Sequence, residues 1–359
     1  MLGAEMEPRE IAERHRRRAQ VALDLGRYHV AEREARSALS ADPRDDESYV
    51  LLTRAYLGSG DWERALDAAQ QCVSASPRRG YAHYLVGFAL QCMGRHADAT
   101  APLREAVSLE PQFARYHARL ALAYAEAKEP EQAVQSVERA LEMSPRDGVV
   151  LEVAARVFGV VRDLPRAEEV ARAYVSLEPE NASAFGRLTW ILTEAKKYDE
   201  AIAIAREAIR LDPNNFAAWA NLGYAALEKK DLATAEEATR QSLRLKPGLA
   251  SATSNLVAIL QERGAVEEAA ELLSRAVARD PKNESWRKQL NELRGVLAAK
   301  DRLRWSDAAA LTVGSVLAAV VVSLVNGWAG IAVGLVLLAI TAWLWRGPRN
   351  AKREGAREN

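Results

Sequence analysis

His83 and His117, two of five histidines and one repeat apart, with Cys72 and Cys92, are side chains whose types could ligate a metal or carry a thiol nucleophile. A tetrahedral zinc site needs four such ligands at short, characteristic spacings, and no Cys, Asp or Glu completes a set around the two histidines. They are therefore expected to be packing residues. The two cysteines form neither a disulfide framework nor a metal pair, which fits a reducing compartment. Phosphate-cradling glycine loops, nucleophile elbows and paired carboxylates in a recognisable context do not occur, so no catalytic residue, cofactor or metal is expected. Arginines cluster at Arg14, Arg16, Arg17 and Arg18, but acidic Glu10 and Glu13 neighbour them and no base-stacking motif follows. With 49 basic and 49 acidic side chains the chain has no global field to draw in nucleic acid, and none is expected as a partner.

The elements that carry these residues follow from a strict internal period. Pro43, Pro77, Pro111, Pro145, Pro179, Pro213, Pro247 and Pro281 lie 34 residues apart. Twelve residues before each stands an alanine: Ala31, Ala65, Ala99, Ala133, Ala167, Ala201, Ala235 and Ala269. Every period holds two apolar stripes at helical spacing, for example Ala201, Ala205, Ala208 and Ile209, separated by a turn. Alanine belongs where two helices cross closely, since a larger side chain would push their axes beyond the usual ~8–10 Å. Proline ends the second helix. Gly26, Gly60, Gly94 and Gly264 occupy the turn between the helices in four periods, and Lys128, Arg162, Lys196 and Lys230 stand there in the other four. Cys72 falls in a column of small residues on the second helix and reads as a buried alanine substitute.

This pattern resembles the tetratricopeptide repeat family over Ala12 to Asn283. The large position of the first helix is filled by Tyr49, Leu151, Phe185 and Trp219, while His15, His83, His117 and Thr253 depart from it. The leucine three places on is Leu52, Leu120, Leu188, Leu222 and Leu256, followed by small Ala19, Gly87, Ala121, Ala155 and Gly223 in their units. Arg18 in the first unit, and Ala154 and Tyr174 in the fifth, break the pattern, so those units are expected to pack less regularly. The resemblance implies an all-α fold: an α/α superhelix of eight 34-residue helix-turn-helix repeats at 12–45, 46–79, 80–113, 114–147, 148–181, 182–215, 216–249 and 250–283. A closing helix follows at 284–300, where Trp286, Leu290, Leu293 and Leu297 recur at helical spacing, and residues 1–11 form an N-terminal tail.

Residues 308–345 contain no Lys, Arg, Asp or Glu. As one helix this run would reach ~57 Å, nearly twice a ~30 Å hydrocarbon core. Asn326 and Gly327 divide it, so a transmembrane hairpin is expected, with a juxtamembrane stretch at 301–307, spans at 308–325 and 328–345, and a basic tail at 346–359. Trp305, Trp343 and Trp345 would mark one interface and Trp328 the other. Ser323 would face Gly330 and Ala319 would face Gly334, packing the two spans closely; a homo-oligomer through Gly330 and Gly334 is the competing use of the same small residues. Lys300, Arg302 and Arg304 before the run, and Arg346, Arg349, Lys352, Arg353 and Arg357 after it, would place both termini in the cytoplasm and set the tail against lipid headgroups. The expected location is a bacterial-type inner membrane. Met1 to Arg18 lacks the apolar core of a secretory signal.

In the family the first helix of each unit lines a concave groove. The resemblance therefore implies docking positions at Arg54, Tyr81, Tyr84, Phe88, Gln91, Arg115, Arg156, Trp190 and Tyr224, with Cys92, Thr193 and Leu227 beside them. Aromatics with arginines suit an extended or helical peptide, although several of the rings are equally suited to packing between repeats. The family's clamp for chaperone C-terminal carboxylates needs Asn and Lys where this chain has Leu51, Arg54, Leu85 and Phe88, so that ligand is not expected. The expected function is a membrane-anchored scaffold that docks a protein or peptide. The alternative is a structural subunit of an intramembrane complex, recognised through the hairpin.

Overall fold

The computed structural model describes residues 7–302 together with Leu317, and every regular element among them is a helix. Two units are distinguished, Met1–Pro247 and Gly248–Asn359. The first holds α1 (Pro8–Asp24), α2 (Tyr28–Ala41), α3 (Asp46–Ser59), α4 (Trp62–Ala75), α5 (Gly80–Cys92), α6 (His96–Leu109) and α7 (Ala114–Glu126). It continues with α8 (Pro130–Met143), α9 (Gly148–Val160), α10 (Leu164–Leu177), α11 (Ala182–Glu194), α12 (Tyr198–Leu211), α13 (Phe216–Glu228) and α14 (Leu232–Leu245). The second holds α15 (Ala250–Glu262), α16 (Val266–Arg279) and a further helix, α17, over 284–302.

Local chemistry sets the helix ends. Asp61, Asp163 and Asp231 each accept a hydrogen bond from the backbone N–H three residues on, occupying a donor that the first turn leaves open. Asn215 and Asp147 cap first helices by accepting from the N–H groups two and three residues on, and Asn181 from the one two residues on. Between the helices of each pair one residue adopts the left-handed conformation. Gly26, Gly60, Gly94 and Gly264 do so without steric cost, whereas Lys128, Arg162, Lys196 and Lys230 do so at φ 60–67°.

The recurring alanines, from Ala31 through Ala269, are fully buried at 0 % exposure, where the two helices of a pair meet. Two glycines make the approach closer still. A Cβ on Gly87 would fall on the Leu103 side chain, and one on Gly223 would fall on the Thr239 hydroxyl with the Ala235 carbonyl at 3.3 Å. At the fifth pair the departure at Tyr174 is accommodated: the ring is buried with Leu151 and Ala184, and its nearest ring carbon would lie only 3.6 Å from a Cβ on Gly148.

Within the first unit the backbone of each first helix comes close to that of the next first helix (α1 with α3, α3 with α5, and so on to α11 with α13), while second helices meet one another only through side chains. The first helices therefore form the inner, tighter layer. Between adjacent second helices the link is by surface ion pairs, such as Arg166 to Glu138 at 2.6 Å and Lys197 to Glu168 at 2.8 Å, each expected to contribute at most about 1 kcal/mol.

The connections between pairs are tied down by a device that recurs. The Nε2–H groups of His83 and His117 and the indole N–H of Trp219 donate to the carbonyls of Pro77, Pro111 and Pro213, each at 2.9 Å, and the Tyr49 hydroxyl donates to Pro43 at 3.3 Å. In the second unit Trp286, Leu290 and Leu293 of α17 are buried, and the Trp286 indole donates to the Ser254 hydroxyl at 3.2 Å.

The membrane hairpin expected from the sequence is corrected by these helices. Among the described residues no helix is long and apolar enough to cross a membrane. A span needs ~20 predominantly apolar residues. The helices from α1 to α16 run 13–17 residues, and even the uncharged α5, at 13 residues, falls short of that length. The longer α17 carries Arg287, Lys288, Glu292 and Arg294 along its length. Among the described residues the fold is thus an all-helical repeat array with no membrane hairpin, which corrects the expected fold and, with it, the two-span inner-membrane location with cytoplasmic termini. Residues 308–325 and 328–345 lie outside the described residues apart from Leu317, and so do Ala319, Ser323, Gly330 and Gly334 with the pairings assigned to them.

Candidate peptide-docking face

The first helices present one residue per turn to the inner face, and on α5 three consecutive such positions are aromatic. Tyr81 stacks on Tyr84 with ring centroids 5.6 Å apart, and Phe88 lies tilted against Tyr84 at 6.1 Å. From the next pair Tyr116 reaches back to stack on the far side of Tyr84 at 4.9 Å, and Phe113 tilts against Tyr116 at 5.1 Å. Offset and tilted rings at these separations attract one another beyond their area burial. The four-ring row Tyr81, Tyr84, Tyr116, Phe113 forms the floor of a recess of about 580 Å³, with Arg79, Arg115, Glu110 and Asp147 among its rim residues.

The rings differ in accessibility. Tyr84 is only 8 % exposed and Tyr116 4 %, while Tyr81 is partly open and Phe113 is 46 % exposed. Tyr116 is fixed from behind: its hydroxyl donates to Glu110 at 3.0 Å, and burial together with that carboxylate raises its pKa. The other Glu110 oxygen accepts from the Gly80 N–H at 3.0 Å, joining the start of α5 to the end of α6.

The positions implied by the family geometry fall into distinct environments. Tyr81, Tyr84 and Arg115 line one recess, and Arg115 also donates to Asp147 at 2.9 Å. Phe88 lies under the Arg119 guanidinium, 4.2 Å from its ring centroid. Gln91 is buried and donates to the Arg119 backbone carbonyl at 2.8 Å, which makes it a link between repeats. Arg54 donates to Gln20 at 2.9 Å, Arg156 to Glu126 at 2.8 Å, and the Tyr224 hydroxyl to Glu194 at 2.8 Å. Trp190 borders a separate recess of about 350 Å³ with Arg187 and Asn221. Its ring rests on Gly159 of α9, where a Cβ would stand 2.5 Å from it, so this glycine makes room for the indole.

Phe113, Tyr116, Arg79 and Arg119 belong to this face without having been expected there. Phe113 gave a faint signal, as a large apolar residue two places after Pro111 in an otherwise polar connection. Arg119 lies one helical turn beyond Arg115 on the same side of α7.

His83 and His117 are engaged with proline carbonyls, and among the described residues no group of His, Cys, Asp or Glu could hold a metal ion. Cys72 is fully buried, and burial pushes its thiol up to about 12, whereas Cys92 is partly accessible and is raised as well, chiefly by burial. A thiol reagent at pH 8 should therefore label Cys92 slowly and leave Cys72 untouched in the folded protein, with both reacting in denaturant. Peptide mapping of the labelled chain measures this; rapid labelling of Cys72 would contradict its placement.

The geometry is matched by comparisons with known proteins. One tetratricopeptide repeat model matches residues 16–80, 89–148, 153–216 and 194–250, and a second matches 226–291. Among solved structures, the APC/C hetero-tetramer Cut9-Hcn1 aligns with a TM-score of 0.58 at 18 % identity, over 77 % of this chain and 54 % of that one. This chain thus spans about half the length of that relative. A tetratricopeptide repeat protein from Parabacteroides merdae ATCC 43184 aligns with a TM-score of 0.55 at 13 % identity, over 70 % of this chain and 99 % of that one. At these identities the likeness concerns the fold. No individually curated protein sequence matches the chain. Repeat period, helix pairing and family models agree, and the chain belongs to the tetratricopeptide repeat family.

Proposed function

We propose that this protein is a protein-protein interaction scaffold that holds an extended partner peptide along the inner face of its first unit. Tetratricopeptide repeat proteins bind protein partners, and a scaffold role fits this chain. The observation that supports a specific docking place is the recess over Tyr81, Tyr84, Tyr116 and Phe113, where an exposed ring and a half-open ring flank two buried ones. Partly exposed aromatics backed by rigid packing are effective anchors: they lose little side-chain freedom on binding and bury a large area. We read the role as binding without turnover, since the titratable groups here are held in structural pairs such as Tyr116 with Glu110 and Arg115 with Asp147.

Selecting 12-residue peptides displayed on phage against the full chain tests this reading. Binders carrying a bulky apolar residue should be recovered, and the double variant Tyr81→Ala, Phe113→Ala should bind them more weakly by about 2 kcal/mol, roughly thirtyfold, with helicity intact by circular dichroism. Tyr84→Ala should instead lower the melting temperature, because that ring is enclosed between Tyr81 and Tyr116. Equal binding by the double variant would remove the recess as the docking place.

A further inference from the structure

Two arginines flank the aromatic strip of α5 on the inner face, Arg54 on α3 and Arg119 on α7. Both are half-buried. Arg54 donates to the neutral Gln20 and lies near enough to Tyr81 for its charge to act on that phenol. Arg119 lies over Phe88, and its Nε is buried without a hydrogen-bond partner. Among the described residues neither guanidinium has a carboxylate within ion-pair distance. Their neighbours on the same face do: Arg79 pairs with Asp46 at 2.9 Å, Arg115 with Asp147 at 2.9 Å and Arg156 with Glu126 at 2.8 Å. A cation held part-way out of water without a counter-charge is costly, and arginine's planar fork forms strong paired hydrogen bonds with a carboxylate.

Building on the docking role above, we infer that this face recognises an extended partner segment in which one bulky apolar side chain is flanked on both sides by carboxylates, read by Arg54 and Arg119. The spacing follows from the helix layers. Neighbouring inner helices pack with axes ~8–10 Å apart, so α3 and α7, on either side of α5, lie roughly 16–20 Å apart. An extended chain advances ~3.3–3.6 Å per residue, which places the two acids about five or six residues apart. The apolar residue between them then falls over α5, where the rings are. A nucleic acid would call for a continuous cationic track for its phosphates, and the other arginines named here already hold acidic partners.

The test uses the full chain and a fluorescein-labelled peptide, Gly-Asp-Ser-Leu-Trp-Ser-Gly-Glu-Gly, followed by fluorescence anisotropy. A companion peptide carries Asn and Gln in place of the two acids, and a third carries both acids directly beside the Trp. The acid-flanked probe should bind at least tenfold more tightly than either companion, and raising NaCl from 50 to 300 mM should remove most of that advantage. Arg54→Gln and Arg119→Gln should each erase at least half of the advantage on a logarithmic scale, Arg119→Lys should retain part of it, and Arg139→Gln on the second-helix layer should change nothing. The salt series needs no variant and stands even where a substitution disturbs folding.

If the neutral companion binds as well as the acidic probe, and Tyr81→Ala with Phe113→Ala weakens both, docking in the recess holds and the acid-reading inference falls. If no peptide binds, both fall. Displacement of the probe by a dT20 oligonucleotide at equal concentration would assign the face to nucleic acid. Conversion of a dimer to a monomer by Arg119→Gln would show a second copy of the chain as the occupant. Either result overturns the inference.

Discussion

Replacing Ala201 with Trp should unfold the sixth helix pair locally and lower the midpoint of denaturant unfolding. Ala201 lies on α12 with 0 % exposure, at the crossing with α11. Helices at such a crossing pack with axes ~8–10 Å apart, and an indole does not fit into that space without moving one of them. Overpacking of this kind costs about 1–3 kcal/mol, with the upper end expected because every side of the site is helix. Each repeat contacts only its neighbours, so the damage should be confined. Hydrogen exchange measured by mass spectrometry should show faster exchange in α11 and α12 while α1 to α4 keep their protection. An unchanged midpoint would mean that Ala201 does not sit at the crossing.

The second large effect is a gain. Lys128, Arg162, Lys196 and Lys230 hold left-handed backbone at φ 60–67°, the conformation that Gly26, Gly60, Gly94 and Gly264 adopt at the equivalent turns. A residue with a Cβ is disfavoured there by roughly 1–2 kcal/mol, and glycine gives back part of that through its looser unfolded state. A net gain of about 0.5–1 kcal/mol per site is expected, so the four substitutions to glycine together should contribute about 2–4 kcal/mol. Thermal and denaturant melts of the quadruple variant read this directly. A variant no more stable than the parent would indicate that the long side chains hold these turns by contacts of their own. Arg162 is the site to watch, since it pairs with Glu194 across a repeat boundary.

Much of the fold was legible because a period is a global constraint written locally. Prolines fixed the ends of second helices, and alanines fixed the crossings, since only a small residue fits there. The docking face was harder to read. Tyr81 and Tyr84 occupy equivalent inward positions on α5, and nothing local distinguishes them. What buries Tyr84 is Tyr116, contributed by the following repeat from a position that the family pattern does not assign to the groove. Gln91 looked like a polar contact for a guest and is instead engaged with a backbone carbonyl of the neighbouring repeat. His83 and His117 break the large-residue column by name but keep its chemistry. Like Tyr49 and Trp219 they bring a ring donor to a proline carbonyl. The hairpin was read from an uncharged run with a central Asn326-Gly327 pair, flanking tryptophans and basic ends. Hydropathy reports what a segment would tolerate, and no helix among the described residues has the length and apolarity that reading required.

The alternation of inner and outer layers in the first unit has a consequence for biogenesis. No helix from α1 to α14 touches one more than two places away along the chain. The entropic cost of bringing partners together is thus paid in short instalments and does not grow as the polypeptide lengthens. A nascent chain can lay down one finished segment behind another as it leaves the ribosome, and it needs no distant stretch to arrive before the earlier part becomes stable.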